Sequence, residues 1–326
     1  MTCAVIIMTV LAAAAPPSAQ APLLTLKGSA EVGAQAFSPA GDAVAAVLGQ
    51  DRVAFWSLPG GTLLREVMFG QRPLSVIFGQ VDQIIVALAD GGIEVRSVES
   101  GATVRRMDAG VSQRVLALSR DGRFLASAGA EQIRLWDARG TLLHTFRHEF
   151  GNVGALAFSP DATRLASAGT DTDVHFWDVA AGTRSGSLPD RLLATFALAF
   201  TPDGRHLAIG GANSAIEIVD VAKAAVVRKF HTGKYAVVST KLSPDGRSIG
   251  AAYMNVDGMS LPAPIEVRDL ASGRVLRRVM PQTLASSAEG FTAAGRLLYA
   301  TSKGAELSIW MLPETSPRSS QPAAGR

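Results

Sequence analysis

Ala36-Phe37-Ser38-Pro39-Ala40-Gly41 is a phrase that this chain repeats. It returns as Ile77-Phe78-Gly79-Gln80, Ala117-Leu118-Ser119-Arg120-Asp121-Gly122 and Ala157-Phe158-Ser159-Pro160-Asp161. Three more versions follow: Ala199-Phe200-Thr201-Pro202-Asp203-Gly204, Lys241-Leu242-Ser243-Pro244-Asp245-Gly246 and Gly290-Phe291-Thr292. The large apolar residue stands at 37, 78, 118, 158, 200, 242 and 291, so the steps are 41, 40, 40, 42, 42 and 49 residues. A period of about 40–45 residues is the mark of a four-stranded propeller blade. Seven such units predict an all-β, seven-bladed β-propeller with antiparallel blades.

The remainder of each unit agrees. A small-residue strand follows the turn, as in Ala43–Leu48, Leu125–Ala128 and Leu165–Ala168. Ala and Gly are poor strand formers, but between two neighbouring blades they let the sheets approach closely. Next come two apolar residues two positions apart, from Val53 and Phe55 to Leu307 and Ile309, the spacing of one strand face. The residue after each pair is Trp56, Arg96, Trp136, Trp177, Val219, Arg268 or Trp310. Turns such as Ala138-Arg139-Gly140 and Ala180-Ala181-Gly182 then lead to a fourth strand, as in Leu63–Phe69 and Val226–Phe230.

These units resemble WD40 repeats, with the Trp-Asp pair intact at Trp136-Asp137 and Trp177-Asp178. Asp220 and Asp269 keep the acidic half, Trp56 and Trp310 keep the Trp, and Arg96-Ser97 keeps neither. The resemblance covers about residues 22–312. It implies a rigid, non-enzymatic scaffold for protein partners. The competing class is a propeller enzyme or small-ligand or metal binder working in the central channel, lactonase-like or TolB-like.

The two ends complement each other. The last unit stops after its third strand and runs into Pro313, whereas Leu23-Leu24-Thr25-Leu26-Lys27-Gly28 precedes the first unit and reads like a fourth strand. Residues 22–28 are therefore expected to complete the last blade and close a single, monomeric ring, removing exposed edges. Residues 1–21 carry no charge, and their apolar run Ala4–Ala15 is broken only by Thr9. That run is too short to span a bilayer, which takes about 20 residues, and reads as a secretory signal with cleavage after Ala21. No integral span would then remain, and the resemblance to exported proteins of Gram-negative bacteria places the product in the periplasm or outside the cell. The tail 313–326 is expected to be disordered. Cys3, the only cysteine, lies in the signal, so the mature chain has no disulfide, zinc-cysteine site or cysteine nucleophile. The net charge of +3 comes from scattered residues and argues against nucleic acid.

Three candidate sites follow. His148, Ser167 and Asp171, beside Trp177, contain the residue types of a hydrolase triad. By resemblance they match the hydrogen-bonded structural tetrad of a WD40 blade, and no strained nucleophile turn surrounds Ser167. The other histidines, His144, His175, His206 and His231, share no spacing, so neither a metal site nor any other cofactor is expected. The third candidate is the sixth unit, which places 16 positions between Ile249 and Ile265 where the fifth has 9 between Leu207 and Ile216. Insertions in repeat proteins map to loops, often on the binding face. Tyr253, Met254 and Met259 are expected to be exposed anchors on that loop, with Arg114 and Arg191 supplying charge on the same face. Arg72, Lys234 and Tyr235 fall in the same class of inter-blade segment.

Overall fold

A computed structural model describes residues 22–129, 131–148, 151–170, 173–189, 193–255, 263–281, 288–291 and 295–312. The expectations for residues 1–21 and 313–326 lie outside it. The chain opens with β1 (Leu24–Lys27). Blade one is β2 (Val32–Phe37), β3 (Ala43–Leu48), β4 (Arg52–Ser57) and β5 (Leu63–Met68). Blade two is β6 (Pro73–Phe78), β7 (Gln83–Leu88), β8 (Gly92–Ser97) and β9 (Thr103–Asp108). Blade three is β10 (Val115–Leu118), β11 (Phe124–Gly129), β12 (Gln132–Asp137) and β13 (Leu142–Arg147). Blade four is β14 (Val153–Phe158), β15 (Arg164–Gly169), β16 (Val174–Asp178) and β17 (Thr183–Leu188). Blade five is β18 (Thr195–Phe200), β19 (His206–Gly211), β20 (Ala215–Asp220) and β21 (Ala225–His231). Blade six is β22 (Tyr235–Leu242), β23 (Ser248–Asn255), β24 (Ile265–Asp269) and β25 (Val275–Val279). Blade seven holds β26 (Ala288–Phe291), β27 (Leu297–Lys303) and β28 (Glu306–Leu312).

In blades one to six the strands bond in chain order. Blade seven takes its outer strand from the other end of the chain, in the order β26, β27, β28, β1. Leu24 stands opposite Ile309 and Leu26 opposite Leu307. Inner strands neighbour one another from β2 round to β26, which touches β2 again. The ring is closed as the two chain ends imply.

Its core is divided into gaps. Among the described residues seven apolar clusters form, one between each pair of adjacent blades. The small second strands sit inside them: Ala45, Ala46, Ala126, Ala166 and Ala251 are completely buried. A larger side chain there would force the sheets apart. In blades one to six the third and fourth strands slip register at the same place, on the residue in the Trp position. A bulge repeated there adds local twist to every blade.

The turn that joins the first two strands is locked by side chains. Ser119, Ser159, Thr201 and Ser243 donate to Asp121, Asp161, Asp203 and Asp245 at 2.6–2.7 Å. The same hydroxyls accept the backbone N–H of Phe124, Arg164, His206 and Ser248 at 2.9–3.0 Å. Each carboxylate also accepts the backbone N–H two residues on. The hydroxyl, then that N–H, holds Asp161, Asp203 and Asp245 below the usual carboxyl range. Partial burial pushes Asp121 upward, but Ser119 and Arg123 outweigh it and bring the group down to about 2. Groups lowered on folding stabilise the protein above their unfolded value, near 3.8, and that contribution is lost as pH falls toward 2. Melting temperature should therefore drop across that acid window. Replacing all four aspartates by Asn should lower it at neutral pH and flatten the acid limb.

Candidate functional site

Blade four brings His148, Ser167 and Trp177 together. Trp177 Nε1 donates to Ser167 Oγ at 2.8 Å, and His148 Nε2 lies 2.9 Å from the same oxygen. Ser167 is completely buried and His148 is 2% exposed. A hydroxyl enclosed in this way has no path to a substrate carbonyl, and both of its neighbours are held in the gap between blades. Phe146 of blade three stacks on Trp177, ring centres 4.8 Å apart, so the network also clamps two blades. Asp171 lies outside the described residues. His175, which sequence spacing had set apart, joins the group with its ring 4.6 Å from that of His148. Ser167→Ala and His148→Ala should each cost about 1–3 kcal/mol, because a buried partner loses its hydrogen bond. Full thermal stability in either variant would remove the structural role.

The same Trp-to-hydroxyl bond recurs as Trp136 to Ser127 at 3.0 Å and Trp310 to Thr301 at 3.2 Å. The three blades without the Trp use another device. Two residues earlier stand Glu94, Glu217 and Glu266, all buried. Each pairs directly across the strand with a cation of the outer strand: Arg106, Lys229 and Arg278. In blades two and six an Arg fills the Trp position and turns back on the same Glu, as Arg96 to Glu94 and Arg268 to Glu266. Tyr253 Oη completes the blade-six network, donating to Glu266 at 2.9 Å and accepting from Arg268 Nε at 3.2 Å. Burial, then the adjacent Glu266 carboxylate, pushes the Tyr253 hydroxyl far above its ordinary value. It stays neutral and donates. The signal was present in the sequence, since Ile93-Glu94-Val95-Arg96 and Ile265-Glu266-Val267-Arg268 are the same four-residue phrase.

The acidic half of the Trp-Asp pair has its own task. Asp137, Asp178, Asp220 and Asp269 accept backbone N–H groups of the following turn, from Arg139, Ala181, Lys223 and Ser272. Where that position is Ser97, Asp82 supplies the carboxylate from the neighbouring turn, accepting from Ser97 Oγ and the Glu99 N–H at 2.7 Å.

On the face carrying the inter-blade segments, the sixth unit differs from expectation. β22 and β23 are eight residues long, against six in β18 and β19 of blade five. Tyr253 and Met254 belong to this extended strand, opposite Val237 and Ala236. Tyr253 is 1% exposed and faces the core, so it is no surface anchor. Its hydroxyl has a buried ion pair to bind, which holds it inward. Met254 remains half-buried, and Tyr235 lies half-exposed beside it, with ring centres of Tyr235 and Tyr253 6.1 Å apart. Arg72, Arg114 and Lys234 are exposed. Arg191 and Met259 lie outside the described residues.

The central channel is a cavity of about 480 Å³ whose wall includes Phe37, Phe78, Phe158 and Phe200, with Gln35, Ser239 and Lys241 as polar exceptions. Among the described residues no three His, Cys, Asp or Glu side chains converge, and no helix is long and apolar enough to cross a membrane.

Comparison with known proteins places this geometry. A family model described as WD domain, G-beta repeat matches residues 140–178, from the outer strand of blade three to the Trp177-Asp178 pair. A second, described as Anaphase-promoting complex subunit 4 WD40 domain, matches residues 187–245. Over 69 residues, 20% of this chain and 22% of the relative, the chain is 39% identical to Target of rapamycin complex subunit wat1 of Schizosaccharomyces pombe. Over 75 residues, 23% of this chain and 17% of the relative, it is 36% identical to Nuclear distribution protein PAC1 of Tuber melanosporum. The match thus spans about a fifth of the length of either relative. A chain of the solved structure "Crystal Structure of Mitotic Checkpoint Complex" superposes with a TM-score of 0.77 at 21% identity, covering 96% of this chain and 99% of that one. At that identity the likeness is one of fold.

Proposed function

The chain belongs to the WD40-repeat β-propellers, and from that premise we propose that it is an exported, non-enzymatic platform for a protein partner. Propellers of this family generally bind proteins. The observation that carries the reading is the raised edge of blade six, where β22 and β23 extend beyond the strand length of blade five. It brings Lys234, Tyr235 and Met254 to one place, with Lys234 Nζ 6.0 Å from the centre of the Tyr235 ring. Tyr235 replaces Tyr253 as the aromatic anchor, while Met254, Met259, Arg114 and Arg191 keep the roles proposed from sequence. Interface energy concentrates in a few aromatic, Met and Arg residues, and Tyr235 and Met254 supply the first two types at this edge. Export is supported by the uncharged apolar segment before Ala21.

Photo-crosslinkers placed at positions 235 and 254 should capture one partner from the periplasmic fraction. Deleting 256–262, which brings the Ile249-to-Ile265 gap to the nine positions of blade five and keeps Tyr253, should abolish capture while leaving the propeller folded. Replacing Arg114 and Arg191 should mainly slow association and steepen its salt dependence. Capture that survives the deletion would remove this face from consideration, and stoichiometric metal in the purified protein would favour the channel instead. Export is tested by the N-terminus of the periplasmic protein, expected at Pro22.

A further inference from the structure

The rim of the ring has a charge of its own. The seven outer strands, β1, β5, β9, β13, β17, β21 and β25, hold ten of the chain's 31 Lys and Arg but two of its 28 Asp and Glu. The rest of the chain therefore carries more acids than bases. Three rim cations are committed to the buried glutamates of blades two, five and six, and the remainder keep the rim basic. Charged edges discourage strand pairing between copies, and glutamate would serve that purpose as well as arginine. Protection alone does not select one sign, and a single sign adds self-repulsion. A surface of one sign is complementary to a partner of the other.

The complementarity is most developed at β21. This is an edge strand of seven residues, and all but Phe230 are exposed. Arg228 and Phe230 share one face, opposite Ile218 and Ile216, whereas the bulge beside Val219 turns Val226 to the other face. Phe230 packs with Leu270 of blade six. Beside them runs a groove of about 390 Å³ between blades five and six, lined by Arg228, Gly246, Arg247, Asp269, Leu270 and Ala271. The Asp269 carboxylate is held by the Ser272 N–H at 2.7 Å and hydroxyl at 2.5 Å. Arg228 and Arg247, from adjacent blades, are exposed at the groove. We propose that the edge of β21 takes an extended acidic segment of a protein partner as a fifth strand of blade five. Backbone hydrogen bonds would supply the pairing, carboxylates would sit between Arg228 and Arg247, and alternate apolar side chains would lie on Val226. The proposal rests on the platform reading but uses a surface separate from the raised edge of blade six.

The test uses the full chain and fluorescent peptides followed by anisotropy. A short peptide alternating Val and Glu should bind, and its affinity should fall as salt rises. The same peptide with Lys for Glu should not bind, and one with a central Pro, which removes a backbone donor, should bind far more weakly. Arg228→Glu with Arg247→Glu should weaken the Glu peptide by about tenfold or more, whereas Arg65→Glu on the rim of blade one should leave it unchanged. Equal loss in Arg65→Glu, or undiminished binding of the Pro peptide, would reduce the site to general ionic attraction and overturn the proposal. So would binding of phosphatidylserine vesicles without the Glu peptide. The salt series and the Lys and Pro peptides use unmodified protein, so a misfolded variant cannot hide the answer. If the Glu peptide fails while crosslinking from positions 235 and 254 persists, this proposal falls and the platform reading stands.

Discussion

Deletion of residues 22–28 should lower the melting temperature steeply and leave a protein that self-associates. Leu26 is 4% exposed and belongs, with Leu307, Ile309 and Leu48, to the cluster that joins blade seven to blade one. Four residue pairs tie β1 to β28, and the Gly28 N–H bonds to the Ala305 carbonyl at 2.7 Å. Truncating Leu26 alone to Ala should cost about 2–5 kcal/mol, as for other buried leucines. At about 1.5–2 °C per kcal/mol for a chain of this size, that variant is already visible in a melt. The deletion should exceed it, because Leu24 and the backbone pairing are lost as well. It would also bare the outer edge of β28, a strand ready to pair with another copy. Calorimetry and light scattering check both effects. A truncated chain that melts with the parent would show that β1 decorates the ring without closing it.

Glu266→Ala should be the most damaging single substitution of a polar residue. The carboxylate is 1% exposed and meets Arg268, Arg278 and the Tyr253 hydroxyl. Removing it leaves the 10%-exposed Arg268 guanidinium in a dry gap without its counter-charge. Breaking a buried pair from one side costs about 3–5 kcal/mol. Arg278→Ala should cost much less, since that side chain is 47% exposed and water replaces it. Tyr253→Phe should fall between, near 1 kcal/mol for one hydrogen bond. Urea unfolding of the three variants sets the order. If Arg278→Ala proves as harmful as Glu266→Ala, the network is held together from its rim.

The blade count and the ring are legible in the sequence because propeller blades are local objects. Four strands in chain order need only a 40-residue period, a turn signal and a two-residue alternation, all of which can be counted. Closure was legible for the same reason, as a missing strand at one end matched a spare one at the other. The structural tetrad of blade four was reached through the resemblance, and the structure brings its His, Ser and Trp together. The glutamate networks of blades two, five and six are not legible along the chain, although Ile-Glu-Val-Arg is spelled twice. Sequence marks the position of Glu94 or Glu266 on a strand, but only packing against a neighbouring blade makes it buried and in need of a cation. In the insertion of blade six, Tyr253 departs from the expected exposed loop for the same reason. Its length was countable, yet strand could be told from loop only by the pairing of Tyr253 with Val237 and by the ion pair that draws its hydroxyl inward. The one-signed rim is likewise invisible along a chain of net charge +3, because the outer strands that collect those cations are about 40 residues apart until the ring brings them onto one circumference.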